Sequence, residues 1–279
     1  MSIQSFIRPK ILFKAHLIAL IAGFLLPTYA SAASKTNIDV NYNLKLAGFQ
    51  LGSVGLAARL KQKSYAISIR AFTTGTLDRI LRFTIETRAR GVYNGAKINS
   101  TEYITAYSNK RVKRHVVVKY PNGQRAQVTA TPPYRSFDDS VPLQAKHLLN
   151  VVDPLSAMLL PLNKKYKSSS ASQCNRIQSV FDGVSRYKLQ MRQATKPKTD
   201  NKMLQQAIYC KVGYTPISGH RKSRADRTII DNYATATVWL LPLKAEGVLL
   251  PLKVEIPTQF GTFTIQAKHV DIDGKRLNF

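Results

Sequence analysis

The chain has 279 residues, with 42 lysines and arginines against 15 aspartates and glutamates, a formal net charge of +27. This excess of positive charge favours contacts with anionic partners: lipid headgroups, glycolipids, cell-wall polymers or nucleic acids. After the first 32 residues, no apolar run is long enough to cross a bilayer. We therefore expect a protein that is at most peripheral to the membrane.

The N-terminus has the pattern of a secretory signal peptide. Its cations come first, at Arg8, Lys10 and Lys14. An apolar run, Leu17–Leu26, follows, and Ala30-Ser31-Ala32 supplies a small-residue cleavage site. The alternative is an uncleaved anchor, although the run is short for a membrane span. Removal of residues 1–32 takes away these three cations and leaves a net charge of +24. We predict an exported, periplasmic protein, for which a specific nucleic-acid partner is not expected.

The remaining chain alternates apolar and polar residues, which is typical of strands buried on one face. Between Ile38 and Ala130 this pattern predicts seven strands, with Asn94-Gly95 as one of the hairpin signals. About six more strands follow residue 173, and Asp182-Gly183 marks another hairpin. Long twisted sheets do not stay flat. The predicted fold is mainly β, a large antiparallel meander curled into a half-open barrel or spiral, in a single domain over residues 33–279.

One segment between the two sets of strands favours a helix. Asp153 can cap the segment Asp153–Leu160, and Pro154 fits the first helical position. The apolar residues at helical spacing are Leu155, Met158, Leu159 and Leu162. We predict that this short helix lies against the concave face of the sheet, where these side chains fill it or line an apolar cavity. The alternative is a connector helix packed elsewhere on the sheet.

Cys174 and Cys210 are the only cysteines. In an oxidising compartment they are expected to form a disulfide, which closes a loop of about 35 residues and contributes roughly 3 kcal/mol in the loop-entropy description. A metal site would need additional ligands nearby, and none cluster in the sequence. We therefore predict a disulfide and no metal.

The sequence lacks the common catalytic motifs: a Gly-x-Ser-x-Gly elbow, a His-Glu-x-x-His zinc motif, a glycine-rich phosphate loop and a Cys-x-x-Cys pair. The histidines after the signal peptide are scattered, at His115, His147, His220 and His269. The acidic pairs are placed in a loop and a turn, at Asp138-Asp139 and at Asp271 and Asp273. We expect no enzymatic activity and no cofactor, with a hydrolase of dispersed active site as the minor alternative.

Two basic clusters are candidate anion-binding sites. They are Lys110, Arg111, Lys113 and Arg114, and then Arg221, Lys222, Arg224 and Arg227. Arginine binds phosphate groups through two parallel hydrogen bonds, so such clusters suit lipid or glycolipid headgroups. The alternative is that these residues keep the protein soluble and protect exposed strand edges from aggregation.

Several short motifs follow one another in a recognisable order. They are Tyr42-x-Leu-x-Leu-x-Gly48, Asp153-Pro154-Leu155-Ser156, Cys174 with Phe181-Asp182-Gly183, Cys210 with Tyr214-Thr215-Pro216-Ile217, Trp239-Leu240 and Pro251–Thr258. This order resembles the periplasmic domain-of-unknown-function family 3108 of Gram-negative envelope proteins. More distantly, the strand-rich outline resembles lipoprotein carriers and other spiral or half-open β-barrels. The resemblance implies a fold and a periplasmic location and supplies no catalytic residues.

These observations predict an exported, non-enzymatic envelope protein that binds or carries an amphipathic or anionic envelope molecule, such as a lipid or glycolipid. The alternative is a structural or scaffolding protein that acts through protein or cell-wall contacts. A gap left by the helix on the concave face would favour the carrier, and a filled face would favour the scaffold. No feature of the sequence points to a particular oligomeric state.

Overall fold

The computed structural model describes residues 35–94, 97–135, 137–162, 171–222 and 236–278. The predicted signal peptide lies outside these residues. The strands are β1 (Lys35–Leu46), β2 (Phe49–Lys61), β3 (Ser64–Thr73), β4 (Thr84–Asn94), β5 (Lys97–Ser108), β6 (Lys113–Lys119), β7 (Gln127–Thr131), β8 (Leu160–Pro161), β9 (Arg176–Phe181), β10 (Arg186–Gln193), β11 (Ile208–Ser218), β12 (Ala236–Leu243), β13 (Val248–Thr258), β14 (Gly261–Ile272) and β15 (Lys275–Asn278). The α-helices are α1 (Gly75–Leu81), α2 (Pro154–Met158) and α3 (Lys202–Gln206), with 3₁₀ turns at Ala145–Leu148 and Ala171–Cys174.

All of these strands belong to one antiparallel sheet. Its order is β7-β6-β5-β4-β3-β2-β1-β14-β13-β12-β11-β10-β9, with β15 paired to β14 and β8 paired to β13. Neighbours in sequence are neighbours in space on both sides of β1, and the pairing of β1 with β14 joins the two runs. β7 and β9 end the sheet and do not pair with each other in the described residues. The predicted mainly β, half-open barrel-like fold is confirmed.

Strands β1–β7, the first half of the sheet, follow the predicted alternation. In β1, Ile38, Val40 and Tyr42 are buried in the main core, while the intervening Asp39 and Asn41 lie on the opposite face. This opposite face is called the outer face below. Cross-strand register carries the same alternation through β2, β3 and β4, because each strand pairs with the next over most of its length.

Strands β9–β14 form the second half, which departs from simple alternation. β12 is buried on both faces: Val238 and Leu240 belong to a small cluster around the disulfide, whereas Trp239 and Leu241 belong to the main core. The disulfide joins Cys174 and Cys210, with 5.6 Å between their Cα atoms. The predicted disulfide is therefore confirmed, and it lies within the second half.

Helix α2 begins as predicted, since Asp153 caps it by accepting a hydrogen bond from the Ser156 N–H at 2.8 Å. It is shorter than predicted. Leu159 is extended, and the following Leu160–Pro161 pairs with β13 as β8, so the helix ends at Met158. A proline disfavours the helical conformation of the residue before it. Leu160 precedes Pro161, which explains why the helix ends early.

The early end of α2 corrects the predicted apolar face in part. Leu155 and Leu159 are buried in the main core as expected, but Met158 is 38% exposed. Leu162 lies beyond the helix and packs against the cluster around the disulfide. A face at helical spacing across Leu155–Leu162 therefore does not exist, because the chain changes from helix to strand within it.

The main core joins the two halves of the sheet. It includes the fully buried Val116 and Val118 of β6, Phe181 of β9, Leu252 of β13 and Val270 of β14. Helix α2 packs among β3, β4, β5 and β9 and contributes to the same core. The concave side of the first half is thus filled by side chains from α2 and from the second half.

Candidate functional site

Arg114, in the first predicted basic cluster, is held by structural contacts. Its guanidinium donates hydrogen bonds to the Pro132 carbonyl oxygen at 3.0 Å and to the Tyr107 hydroxyl at 2.9 Å. It also lies over the Tyr134 ring, with its central carbon 4.4 Å from the ring centroid. These contacts fasten the segment after β7 to the end of β5, so Arg114 is occupied with holding this connection in place.

The other members of this cluster are more available. The Lys110 ammonium donates to the Arg79 carbonyl oxygen at 2.6 Å, and this contact leaves its charge without a carboxylate partner in the described residues. Arg111 and Lys113 are exposed, and no carboxylate of the described chain pairs with either. The structure therefore leaves three cations at the β5–β6 turn able to meet an anion.

The second predicted basic cluster lies partly outside the described residues, which include Arg221 and Lys222 but not Arg224 or Arg227. Arg221 forms an ion pair with Asp139 at 2.8 Å and stacks on the Phe137 ring at 4.2 Å from its centroid. The Lys222 N–H donates to the Asp139 carbonyl oxygen. In the described part, the cluster thus ties two loops together.

The outer face of the first half carries a ladder of ion pairs that sequence reasoning did not single out. Its members are Arg59–Asp39 at 3.1 Å, Arg70–Glu86 at 3.1 Å and Arg90–Glu102 at 3.0 Å. Arg88 lies on the same face of β4, between Glu86 and Arg90, and pairs with no carboxylate of the described residues. The alternation of β4 predicts that Arg88 lies on a polar face. It does not predict that Arg88 lacks a carboxylate partner, because that depends on the register between strands.

Arg88 lies between two surface hollows, of about 390 and 520 Å³, which share Ala57, Ser68 and Arg88 in their linings. The hollows exist because the floor of the outer face is built from small residues, including Gly55 and Ala66. A third hollow, of about 370 Å³, is lined by Lys113 and His115 on β6. These shallow sites offer cationic groups to an extended anionic ligand rather than enclosing a small molecule.

A buried polar network holds α2 to the first half of the sheet. The Tyr65 hydroxyl donates to Ser156 Oγ at 2.6 Å, and the Ser100 hydroxyl donates to Asp153 Oδ2 at 2.6 Å. The Ser156 hydroxyl also donates to Asp153 Oδ2. Burial raises the pKa of the Asp153 carboxyl above its usual value and raises the pKa of Tyr65 to about 12. Ser156 and Asp153 are fully buried, so this network positions α2 and presents no nucleophile to solvent.

Several of the isolated histidines and acidic residues make contacts in turns and between strands. Asp271 pairs with Arg276 at 3.1 Å, and Asp273 accepts a hydrogen bond from the Asn37 N–H in the predicted turn before Gly274. His269 contacts the Asn41 amide at 2.9 Å. Within residues 35–278, excluding the gaps given above, no three His, Cys, Asp or Glu side chains are grouped to hold a metal ion.

None of the helices described in the structure combines the length and apolar character required to cross a bilayer. Leu155, Met158, Leu159 and Leu162 line none of the three hollows described above. The candidate functional surface is therefore the outer face of the first half, where Arg88, Lys113 and Lys119 have no carboxylate partner in the described chain.

Comparison with known proteins gives a family but no activity. The sequence matches the family described as "Protein of unknown function (DUF3108)" over residues 39–268. The fold is similar to the crystal structure of a beta-barrel-like protein of domain of unknown function DUF1849 from Brucella abortus, with 10% identity and a TM-score of 0.47, covering 86% of this chain and 99% of that one. No curated protein matches the sequence significantly. The family match spans most of the chain and confirms the resemblance seen in its motifs: this chain belongs to the DUF3108 family.

Proposed function

We propose that this chain is an exported, non-catalytic scaffolding protein of the cell envelope that acts through contacts on its outside. The observation that carries the proposal is the filled concave face, where α2 and side chains of both halves form one core. A carrier of acyl chains needs an apolar cavity that accepts its cargo. A protein whose interior is occupied by its own side chains binds its partners on the surface.

The charge of the outer face supports an anionic partner such as cell-wall polymer or an anionic membrane surface. In β3–β7, the carboxylates are Glu86 and Glu102, and each is already paired with an arginine. The cations of these strands that lie on the outer face are Arg70, Arg88, Arg90, Lys113 and Lys119. The face therefore carries an excess of positive charge, which attracts anionic polymers and headgroups at moderate ionic strength.

Two measurements test this proposal. Native mass spectrometry of protein purified from its own envelope should show the chain without bound lipid, and a lipid bound one to one would favour the carrier instead. Sedimentation with purified cell wall, and separately with phosphatidylglycerol vesicles, should show retention at about 0.15 M salt and release at high salt. If the protein bound neither the cell wall nor the vesicles, the proposal of an anionic partner would be contradicted.

A charge-matched set of variants locates the contact. Arg88→Gln, Lys113→Gln and Lys119→Gln together should weaken binding by roughly a hundredfold, because each cation near an anionic surface contributes about 1 kcal/mol. The control is a triple variant with the same charge change on the second half: Lys188→Gln, Arg192→Gln and Lys211→Gln, all on exposed strand positions. Equal loss in both variants would show a diffuse charge effect without a preferred face.

A further inference from the structure

A short segment of the chain around Val152 lies between the two halves and forms a single parallel β-bridge to β9. The Val152 N–H donates to the Ser179 carbonyl oxygen at 2.9 Å, and the Phe181 N–H donates to the Val152 carbonyl oxygen at 3.0 Å, which is a parallel bridge to β9. On its other side, the Asp153 N–H donates to Ser100 Oγ on β5 at 3.0 Å. Residues 151–153 therefore occupy the gap between β5 and β9.

This segment stops at Asn150. Asn150 has φ +52°, a left-handed conformation that turns the backbone, so residues before it do not continue the pairing with β9. Beyond this point lies a cleft of about 720 Å³. We name it the seam cleft. Its walls are the start of β5, at Lys97–Asn99, and the start of β9, at Arg176–Ser179.

Both walls of the seam cleft are strand edges. β6 begins to pair with β5 only at Glu102, so Lys97–Asn99 have no strand beside them on that side in the described residues. Ser179 accepts from Val152 through its outward C=O, Phe181 donates to Val152 through its outward N–H, and backbone groups alternate along a strand. The N–H and C=O of Ile177 therefore face the seam cleft, with no backbone partner in the described chain.

The side chains of the seam cleft indicate the chemistry of an occupant. Lys97 and Arg176 line it, and no carboxylate does, but the Arg176 guanidinium already donates to the carbonyl oxygens of Gln173 and Pro161. Lys97, which is exposed, is therefore the cation available to an occupant. Its amides are Asn99, Asn122, Asn150, Asn175 and Gln178. Ile177 is 62% exposed beside this polar lining. A segment with aspartate or glutamate next to apolar residues would complement Lys97 and the isoleucine.

We propose that the seam cleft binds an extended, acidic peptide segment of a partner protein, which adds as a strand along β9. Strand addition uses backbone hydrogen bonds for affinity and side-chain contacts for selectivity. Val152 already pairs with β9 through one parallel bridge, and the partner segment would continue this pairing along β9 past Asn150. Three residues of β9, Arg176–Gln178, offer an edge of about 10 Å. This inference rests on the proposed scaffolding function, since it names one of the contacts by which a scaffold would act.

The test uses the signal-free full chain and a display library of random octapeptides. We expect enriched peptides that alternate apolar residues with aspartate or glutamate. Their binding should protect amides of β9 and of the start of β5 from hydrogen exchange. No enrichment above a protein-free selection, or enriched peptides without carboxylates, would overturn the proposal.

Substitutions in the cleft locate the site. Ile177→Pro removes the outward N–H, and proline is tolerated at an edge strand when its N–H faces away from the neighbour. Binding should weaken by about tenfold relative to the control Ile177→Ala, which removes the side chain and keeps the N–H. Equal binding by these two variants would overturn strand addition.

A second variant does not depend on backbone geometry. Lys97→Glu replaces an exposed cation of the cleft and should weaken the acidic peptides by about tenfold or more, whereas Lys198→Glu, at an exposed position outside the cleft lining, should leave binding within about twofold. Unchanged binding by Lys97→Glu would contradict the assigned charge complementarity. Loss of peptide binding without loss of cell-wall binding would leave the scaffolding function intact, and bound lipid in the native protein would overturn that function alone.

Discussion

The two halves of the sheet reach stability in different ways. The first half is a regular meander in which each strand buries one face and exposes the other, as in β1 with Val40 inside and Asp39 outside. In the second half, β12 is buried on both faces, and the disulfide cluster supplies one of its two packing surfaces. The first half therefore leaves a wide charged face for contacts, whereas the second half uses more of its surface for packing.

This difference shows why the molecule needs both halves. A curved sheet with one apolar face is unstable until that face is covered. Helix α2 and β9 cover the concave face of the first half, and Phe181 of β9 is fully buried there. We infer that the second half acts as the packing partner of the first and that contacts at this junction are the most sensitive to substitution.

The largest expected effect is at Phe181. Phe181→Ala should lower the free energy of unfolding by about 3–5 kcal/mol, because it removes a fully buried aromatic ring where the two halves meet. Urea denaturation measures this change. Ile177→Ala on the same strand is the control, since its side chain is 62% exposed and its loss should cost less than about 1 kcal/mol. Similar small losses in both variants would contradict a shared core.

The next effect is that of the disulfide. Replacing Cys174 and Cys210 together with alanine should lower the free energy of unfolding by about 3 kcal/mol, because the cross-link restricts the unfolded chain. Hydrogen exchange should become faster in β10 and β11 and remain nearly unchanged in β2 and β3. Equal acceleration in both halves would show that the cross-link stabilises the whole sheet, and free thiols in the native protein would contradict the bond itself.

The same contrast explains what could be predicted from the sequence. Alternation along single strands predicted the first half, because each strand there has one apolar face. It could not predict that Leu160–Pro161 leaves the helix to pair with Val248 and Leu249, since that pairing joins residues far apart in the chain. The sequence does not predict helix α3, because Leu204 is the only buried residue of this helix and a single residue gives no apolar periodicity.

The candidate site shows a similar limit. The basic clusters were visible as runs of charge, but Arg114 and Arg221 are occupied by Tyr134 and Phe137, which the sequence separates from them by 20 residues or more. Arg88 lies opposite Ser68 of β3 and Ile104 of β5, and the nearby Glu86 pairs with Arg70 instead. Register across strands, which alternation does not specify, decides which cations remain available.

Asp153 gives a smaller effect that depends on pH. Asp153→Asn should leave the free energy of unfolding nearly unchanged at low pH, because the amide oxygen keeps the helix cap and the amide nitrogen offers a donor to Ser100 and Ser156, as a protonated carboxyl does. Burial raises the pKa of Asp153 in the folded state above its unfolded value of about 3.9. Its contribution is therefore full below the unfolded pKa and is lost as pH rises through the folded pKa.

Wild type should consequently lose stability relative to this variant as the pH rises from about 3 towards neutral. Urea denaturation at several pH values measures it. Because the pKa of Asp182 is also raised by burial, only the difference between the two proteins isolates Asp153. A difference that is constant with pH would show that Asp153 does not change its protonation on unfolding.

The smallest effect at neutral pH is at Tyr120, whose hydroxyl donates to the Phe181 carbonyl oxygen at 2.6 Å and so links the first half to β9. Tyr120→Phe should cost about 1 kcal/mol at pH 7 for this buried hydrogen bond. Burial raises the pKa of Tyr120, with further contributions from the nearby Asp153 and Tyr103. In the unfolded chain it ionises near pH 10, so its stabilising contribution is present below that pH and is lost as the pH rises, by about 1.4 kcal/mol per pH unit.

Wild type and Tyr120→Phe should therefore converge above about pH 10 and cross near pH 11, because phenylalanine has no proton to lose on unfolding. Tyr42→Phe on β1 is the matched variant, since the Tyr42 hydroxyl donates to the Pro251 carbonyl oxygen at 2.8 Å and burial raises its pKa as well. That bond joins β1 to the second half away from β9. If the stability of wild type converged with that of Tyr42→Phe but not with that of Tyr120→Phe, the contact with β9 would already be open in alkali while the β1 side remained packed. The junction at β9 would then be the first part of the fold to separate.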